Sequence, residues 1–157
     1  MSSRPANRAA FTLVEIMIVV AIIGLLAAIA MPAWSRARTD SKNTTFIADL
    51  KVASAAFEQY AMEHGDFPPD AGPGVVPAGM APYLTGMNWT APTPLGGQWD
   101  WDYLTFANTI SVSVWFNGQD KDALMQTIDQ KIDDGNLATG NFRKRADGYY
   151  IYIIEQR

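Results

Sequence analysis

Glu15 is the one charged side chain in a predominantly apolar stretch covering residues 11–34, interrupted otherwise only by Thr12 and Pro32. Within it, residues 16–31 carry no polar side chain. About 20 consecutive apolar residues cross a bilayer as a helix, so the stretch is long enough to span one. A carboxylate at such depth costs a few kcal/mol and calls for a partner or a function. An apolar run alone predicts only an anchor. An apolar run with one acid near its start is far more restrictive.

The flanks narrow the reading further. Residues 1–10 are polar and include Arg4, Pro5 and Arg8. Positive charge before the run favours a cytoplasmic N-terminus, although Arg36, Arg38 and Lys42 on the far side weaken that asymmetry. A cleaved secretory signal has a shorter apolar core, about 7–15 residues, and a small-residue cleavage site. Here the run is longer and leads into a helical pattern. An uncleaved signal anchor, with Glu15 reaching to the interface, is a second reading.

A third reading accounts for more residues. Ala10-Phe11-Thr12-Leu13-Val14-Glu15 resembles the processing motif of type IV pilins and type II secretion pseudopilins. In that family a short basic leader is cut before a Phe that opens an apolar helix, and an acid stands fifth in the processed chain. A cut after Ala10 puts Glu15 at that fifth place. Gly24 and Pro32 match the family's helix-softening residues. Ala10 departs from the family's usual Gly, which allows closer backbone approach. The resemblance covers residues 4–65 well and the rest only in outline.

The resemblance implies that a prepilin peptidase removes residues 1–10 and that the new amine of Phe11 is methylated. It also implies an assembly role for Glu15, which would neutralise the terminal amine of a neighbouring subunit in a dry filament core. Each of those charges alone would be costly there. Gly24 and Pro32 would let the helix stretch between them, since Pro removes a backbone hydrogen bond and clashes one turn back. Their plainer reading is a common membrane-helix Gly and a Pro marking the end of the anchor.

Trp34 to His64 contains no Gly or Pro, and Phe46, Leu50, Ala53, Phe57, Tyr60 and His64 recur at helical spacing. The opposite face carries Asp49, Lys51, Glu58 and Glu63. Gly65 caps this helix and Pro68-Pro69 prevent its continuation. One nearly continuous helix from residue 16 to residue 64 is therefore expected. His64, the only histidine, suits a helix C-terminus better than a metal or catalytic site.

Residues 66–98 are rich in Pro and Gly, yet Val75, Val76, Met80, Tyr83, Leu84, Met87 and Trp89 predict that the segment packs on the domain. A long irregular connection of this kind is usually functional or interfacial. Strands are expected at 98–103 and 109–116, where Ile110, Val112, Val114 and Phe116 alternate with Ser111, Ser113 and Trp115. A helix over 120–134 follows. Residues 142–145 and 149–154 flank Ala146-Asp147-Gly148, a hairpin turn.

Composition limits the chemistry. The chain has 157 residues, no cysteine and a net charge of −4, which excludes disulfides and thiolate chemistry. The acidic balance argues against a nucleic-acid binder. Asp100 and Asp102 share one strand face, but no nucleophile elbow, phosphate loop or Cys–His pair accompanies them. Trp99, Trp101 and Trp115 either form a ligand platform or cover a core edge, and the second reading is favoured. Asp129, Asp133, Asp134 and Asn136 are expected to form a solvated helix end with no bound metal or cofactor; the alternative is a calcium site, with Asp133, Asp134 and Asn136 the loop candidates. Major pseudopilins often bind calcium in a C-terminal loop, whose spacing these residues do not reproduce, nor do they form an EF-hand. Arg143, Lys144 and Arg145 read as edge-strand charges that block aggregation. The sequons at Asn43 and Asn88 are discounted, because the resemblance implies a bacterial cell.

The expected fold is α+β and pilin-like: a long N-terminal helix, transmembrane then amphipathic, packed on a small antiparallel sheet. Its parts are a leader (1–10), a membrane and filament-core helix (11–33), an amphipathic helix (34–65) and a C-terminal domain (66–157). The implied function is structural, as a subunit of a type IV pilus-like filament, most consistent with a type II secretion pseudopilin. The alternatives are a minor tip subunit that binds exported protein, DNA or a surface, and a membrane-tethered enzyme. The implied partners are other pilin-like subunits, the prepilin peptidase and an inner-membrane assembly platform. The implied location is a single pass of a bacterial inner membrane with a periplasmic C-terminal domain, then a periplasmic or cell-surface filament.

Overall fold

The structure, a computed structural model, describes residues 12–145 and 148–157. It divides into two units, residues 1–40 and 41–157. Helix α1 (Leu13–His64) begins in the first and ends in the second. Every described residue of the first unit is exposed. Leu25, Ile29, Met31 and Trp34 are each at least 70% exposed, although burying such side chains is worth about 1.5–3 kcal/mol each. This part of α1 is long and apolar enough to cross a membrane, by length and composition. Pro32 lies inside α1 without ending it.

The second unit is built on four antiparallel strands. They are β1 (Gln98–Phe106), β2 (Thr109–Trp115), β3 (Phe142–Lys144) and β4 (Tyr149–Gln156), in the order β1-β2-β4-β3. Helix α2 (Asp122–Ile132) lies between β2 and β3 in the chain. The register pairs Trp99 with Val114, and Val114 with Tyr150. Strand side chains alternate faces, so this rung and the next, Trp101 with Val112, make one apolar surface.

The C-terminal half of α1 packs on that surface through its 3.6-residue stripe. Phe46 stacks on Trp99 with ring centroids 5.0 Å apart, and Phe57 stacks on Trp101 at 3.6 Å. Trp89, from the Pro- and Gly-rich segment, meets Phe57 edge-on at 5.5 Å and donates its indole N–H to the Val75 carbonyl at 2.8 Å. Met80 and Leu84 join it in the core, so this segment packs as expected from its apolar residues. The helical stripe fades at its end: Tyr60 is half-buried and His64 is exposed, stacked on Tyr60 with centroids 4.1 Å apart.

Trp99 and Trp101 are buried. Trp115 pairs with Gln98 and so faces the other side of the sheet. The three tryptophans therefore make no common platform, and the core-edge reading holds for two of them. The serine face of β2 is buried as well, so β2 is covered on both sides and not on one. Both sheet edges are covered. Ala71 and Gly74 donate backbone N–H groups to Trp101 and Trp99 on β1. On the other edge, Lys144 of β3 donates its backbone N–H to Leu137. Covered edges resist strand addition.

Candidate functional site

The structure brings together two sets of functional candidates, one in each unit. In the first unit, Thr12 precedes α1 and Glu15 sits three residues on. The Thr12 backbone N–H and hydroxyl both donate to Glu15 Oε2 at 2.8 Å, and the Glu15 N–H returns to Thr12 Oγ1 at 3.3 Å. This is a reciprocal capping box, which satisfies backbone donors that a helix start leaves unpaired. The sequence reading took Glu15 for an assembly acid and missed its part in starting the helix. The signal was present as Thr12-x-x-Glu15.

Gly24 and Pro32 lie further along the same exposed helix segment. A Cβ at Gly24 would meet nothing within 4 Å, so no packing among the described residues requires glycine there. Pro32 supplies no N–H, so one rung of the helix ladder is absent at that point. Ala10 and Phe11, the residues flanking the expected cut, lie outside the described residues, as do Ala146 and Asp147 of the expected hairpin turn.

In the second unit, Asp133 and Asp134 follow α2 directly, and Asp129 lies one turn back on the helix. One ligand oxygen from each lies within 4.8 Å of the others. Asp129 is fully buried, and its carboxylate oxygens have no partner of good hydrogen-bond geometry among the described residues, the Gly135 amide being its weak neighbour. Asp133 Oδ2 accepts the N–H groups of Asn141 and of Phe142, the latter at 2.8 Å. Asp134 accepts the Asn136 N–H at 2.8 Å and the Thr139 hydroxyl at 2.6 Å. Asn136 turns its own Oδ1 to the Ala138 N–H at 3.2 Å. Burial raises the Asp129 carboxyl above its ordinary range, Asp134 and Asp133 add to this, and the Gly135 amide opposes it. The Thr139 hydroxyl, then the Asn136 amide, hold Asp134 below that range.

The other acid pair, Asp100 and Asp102, points from β1 to the face it shares with Ser113 and Ser111, their register partners. Both acids are buried. Arg145 Nη1 donates to Asp102 Oδ1 at 2.8 Å, and its guanidinium lies over the Tyr149 and Phe106 rings. Asp100 Oδ1, Asp102 Oδ2 and both serine hydroxyls lack hydrogen-bond partners among the described residues. Burial pushes the Asp100 carboxyl up to about 7, with Asp102 as the next cause. The Arg143–Arg145 run is thus internally engaged and not a row of free edge charges. Arg143 Nε donates to the Gly140 carbonyl, and Lys144 bridges Asp120 and Asp122 at 2.9 and 2.6 Å.

Comparison with known proteins bears on the N-terminal segment. Residues 5–31 match the prokaryotic N-terminal methylation motif. The chain is 38% identical over 58 residues to a fimbrial protein of Neisseria meningitidis, covering 37% of this chain and 34% of that protein. It is 36% identical over 62 residues to the type II secretion system core protein G of Pseudomonas aeruginosa, covering 40% and 44%. It is 43% identical over 53 residues to fimbrial protein Q of Moraxella bovis, covering 34% of each. The chain thus spans between about a third and under half the length of these relatives. No solved structure matches it. Residues 5–31 of this chain thus carry the prokaryotic N-terminal methylation motif, and its N-terminal segment is similar to fimbrial proteins and to a type II secretion system core protein.

Proposed function

We propose that the chain is a structural subunit of a type IV pilus-like filament, of the type II secretion pseudopilin kind, assembled through its N-terminal helix. The supporting observation is a wholly exposed apolar helix segment whose one charged side chain is Glu15, coincident with the methylation motif. Apolar surface this extensive does not stay in water. A membrane covers it before assembly, and the matching helices of neighbouring subunits cover it afterwards. Under this reading a prepilin peptidase removes residues 1–10, Phe11 becomes the methylated terminus, and an inner-membrane platform adds subunits to the filament. The C-terminal unit is then periplasmic.

Glu15 has two tasks in this account. Its Oε2 takes both Thr12 donors and starts the helix. Its Oε1 is offered to the terminal amine of an adjacent subunit. A carboxylate and an ammonium buried together cost far less than either alone, so the pair selects register more than it adds stability. Glu15→Leu keeps the anchor apolar. The variant is expected to fractionate with membranes at the wild-type level and to form at least about tenfold less filament. Filaments at the wild-type level in that variant would contradict the assembly role.

A further inference from the structure

We propose that the pocket beside Trp115, where β2 leaves the sheet, binds a neutral saccharide. The proposal is independent of filament assembly. Trp115 pairs with Gln98 on one side and Tyr149 on the other. The three residues therefore share the sheet face opposite the one that Trp99 and Trp101 present to α1. Trp89 and Trp101 give their indole N–H groups to the carbonyls of Val75 and Pro68, at 2.8 and 3.0 Å. The half-buried Trp115 has no such acceptor among the described residues, so its N–H is open to a ligand.

A pocket of about 460 Å³ lies against this side chain, within the range of small-ligand sites, about 300–1,000 Å³. Pro92 and Gly96 line it from the loop before β1, and Asn117 and Gln119 from the turn after β2. Both segments are pinned through their backbones. In the first, the Thr93 N–H donates to the Gly97 carbonyl at 2.7 Å, and the Gly96 N–H to the Thr93 carbonyl at 2.9 Å. A Cβ at Gly97 would stand 2.9 Å from the Trp115 carbonyl oxygen, so glycine lets this loop run along β2. In the second, the Gln119 N–H donates to the Phe116 carbonyl at 3.1 Å. That turn holds Asn117 at φ +53° and Gly118 at φ +74°, a conformation that Asn and Gly tolerate. Tyr149 stacks on Trp115 with centroids 6.0 Å apart, and the Arg145 guanidinium lies 5.0 Å from the Tyr149 ring centroid. The pocket is thus formed before a ligand arrives, which lowers the ordering cost of binding.

The lining selects the ligand. It contains no charged side chain, so a phosphate, carboxylate or ammonium group would find no ionic partner. Gln98, Asn117 and Gln119 each bring a carbonyl acceptor and an NH₂ donor. None of these three amides is engaged in a side-chain hydrogen bond among the described residues. A hydroxyl both donates and accepts, so each amide can pair with one in either sense. A sugar ring combines a rim of hydroxyls with a face of C–H groups. Those C–H groups carry slight positive charge, which suits the negative face of an indole. A wholly apolar ligand would leave the amides covered and unpaired. A peptide would gain most by adding to a strand edge, and the neighbouring edge of β1 is already taken by Ala71 and Gly74.

The test uses the full chain in micelles of a zwitterionic detergent, which brings no sugar headgroup of its own. Chitotriose, cellotriose and maltotriose are the probes, with tetraglycine as the peptide comparison. Saturation-transfer NMR and tryptophan fluorescence read the binding. At least one trisaccharide is expected to bind with a Kd of about 1 mM or tighter, and tetraglycine at least about tenfold more weakly. Trp115→Ala should lower the saccharide affinity at least about tenfold. Should that variant fail to fold, Gln119→Ala, at an exposed position, decides the matter with a loss of about threefold or more. No binding of any trisaccharide, tetraglycine bound as tightly as the sugars, or either folded variant binding as wild type does, would overturn the proposal.

Discussion

Asp100 shows how one residue can tie stability to pH. Its carboxyl is buried on the serine face of the sheet and held up to about 7, first by burial and then by Asp102. A carboxyl raised in the folded state binds a proton there that the unfolded chain releases at about pH 4. Its contribution is therefore fully present below about pH 4 and is lost as pH rises towards about 7. Asp100→Asn keeps the shape and removes the titration. Relative to that variant, wild type should lose on the order of 4 kcal/mol of unfolding free energy between about pH 4 and pH 8. Urea unfolding of both proteins at the two pH values measures this, and parallel pH profiles would contradict it. Asp102, on the same face, is instead paired with Arg145 at 2.8 Å. That contrast was not legible in the sequence. Alternation places Asp100 and Asp102 on one face, but nothing in the local pattern brings Arg145 to one of them and not the other.

At the scale of elements, the second half of α1 was legible because its apolar spacing follows the helix period, and Phe46, Leu50, Ala53 and Phe57 are all buried. Phe57 is the centre of this packing, stacked on Trp101 at 3.6 Å and meeting Trp89 edge-on. Phe57→Ala should cost about 3–5 kcal/mol, the transfer term plus the cavity left behind. Chemical denaturation of the full chain in micelles checks it, and a loss below about 1 kcal/mol would mean that α1 is not seated on the sheet as described. The strands were legible from alternation, and the segment after His64 from its apolar residues. The burial of both faces of β2 was not. Period-2 patterning marks which residues share a face, but not whether something covers the polar one. The capping box was missed for a different reason. An acid inside an apolar run points to a membrane or assembly role, which masks the local capping role that its spacing from Thr12 also allows. Asp129, Asp133 and Asp134 were legible as an acidic helix end, but the full burial of Asp129 was not.

At the scale of the whole molecule, two kinds of surface divide the chain. The first unit exposes apolar side chains along every described turn, and the second buries a core of aromatic and aliphatic side chains. The first pattern makes sense only where lipid or like helices replace water, which is why the anchor was the most legible part of the sequence. The methylation motif overlaps that segment at residues 5–31, and the resemblance to fimbrial proteins and to a type II secretion core protein lies in about a third of the chain. The C-terminal unit follows from general packing rules, and its particular arrangement of α2 between strand pairs was expected from pattern alone. What joins these observations into a function is the processing step that would turn an inserted precursor into a filament subunit. The most direct test is the N-terminal residue of the chain recovered from its native membrane, read by intact and peptide mass spectrometry. A chain beginning at N-methylated Phe11 is the predicted result. A chain that retains residues 1–10 would contradict the account and make the segment an uncleaved signal anchor.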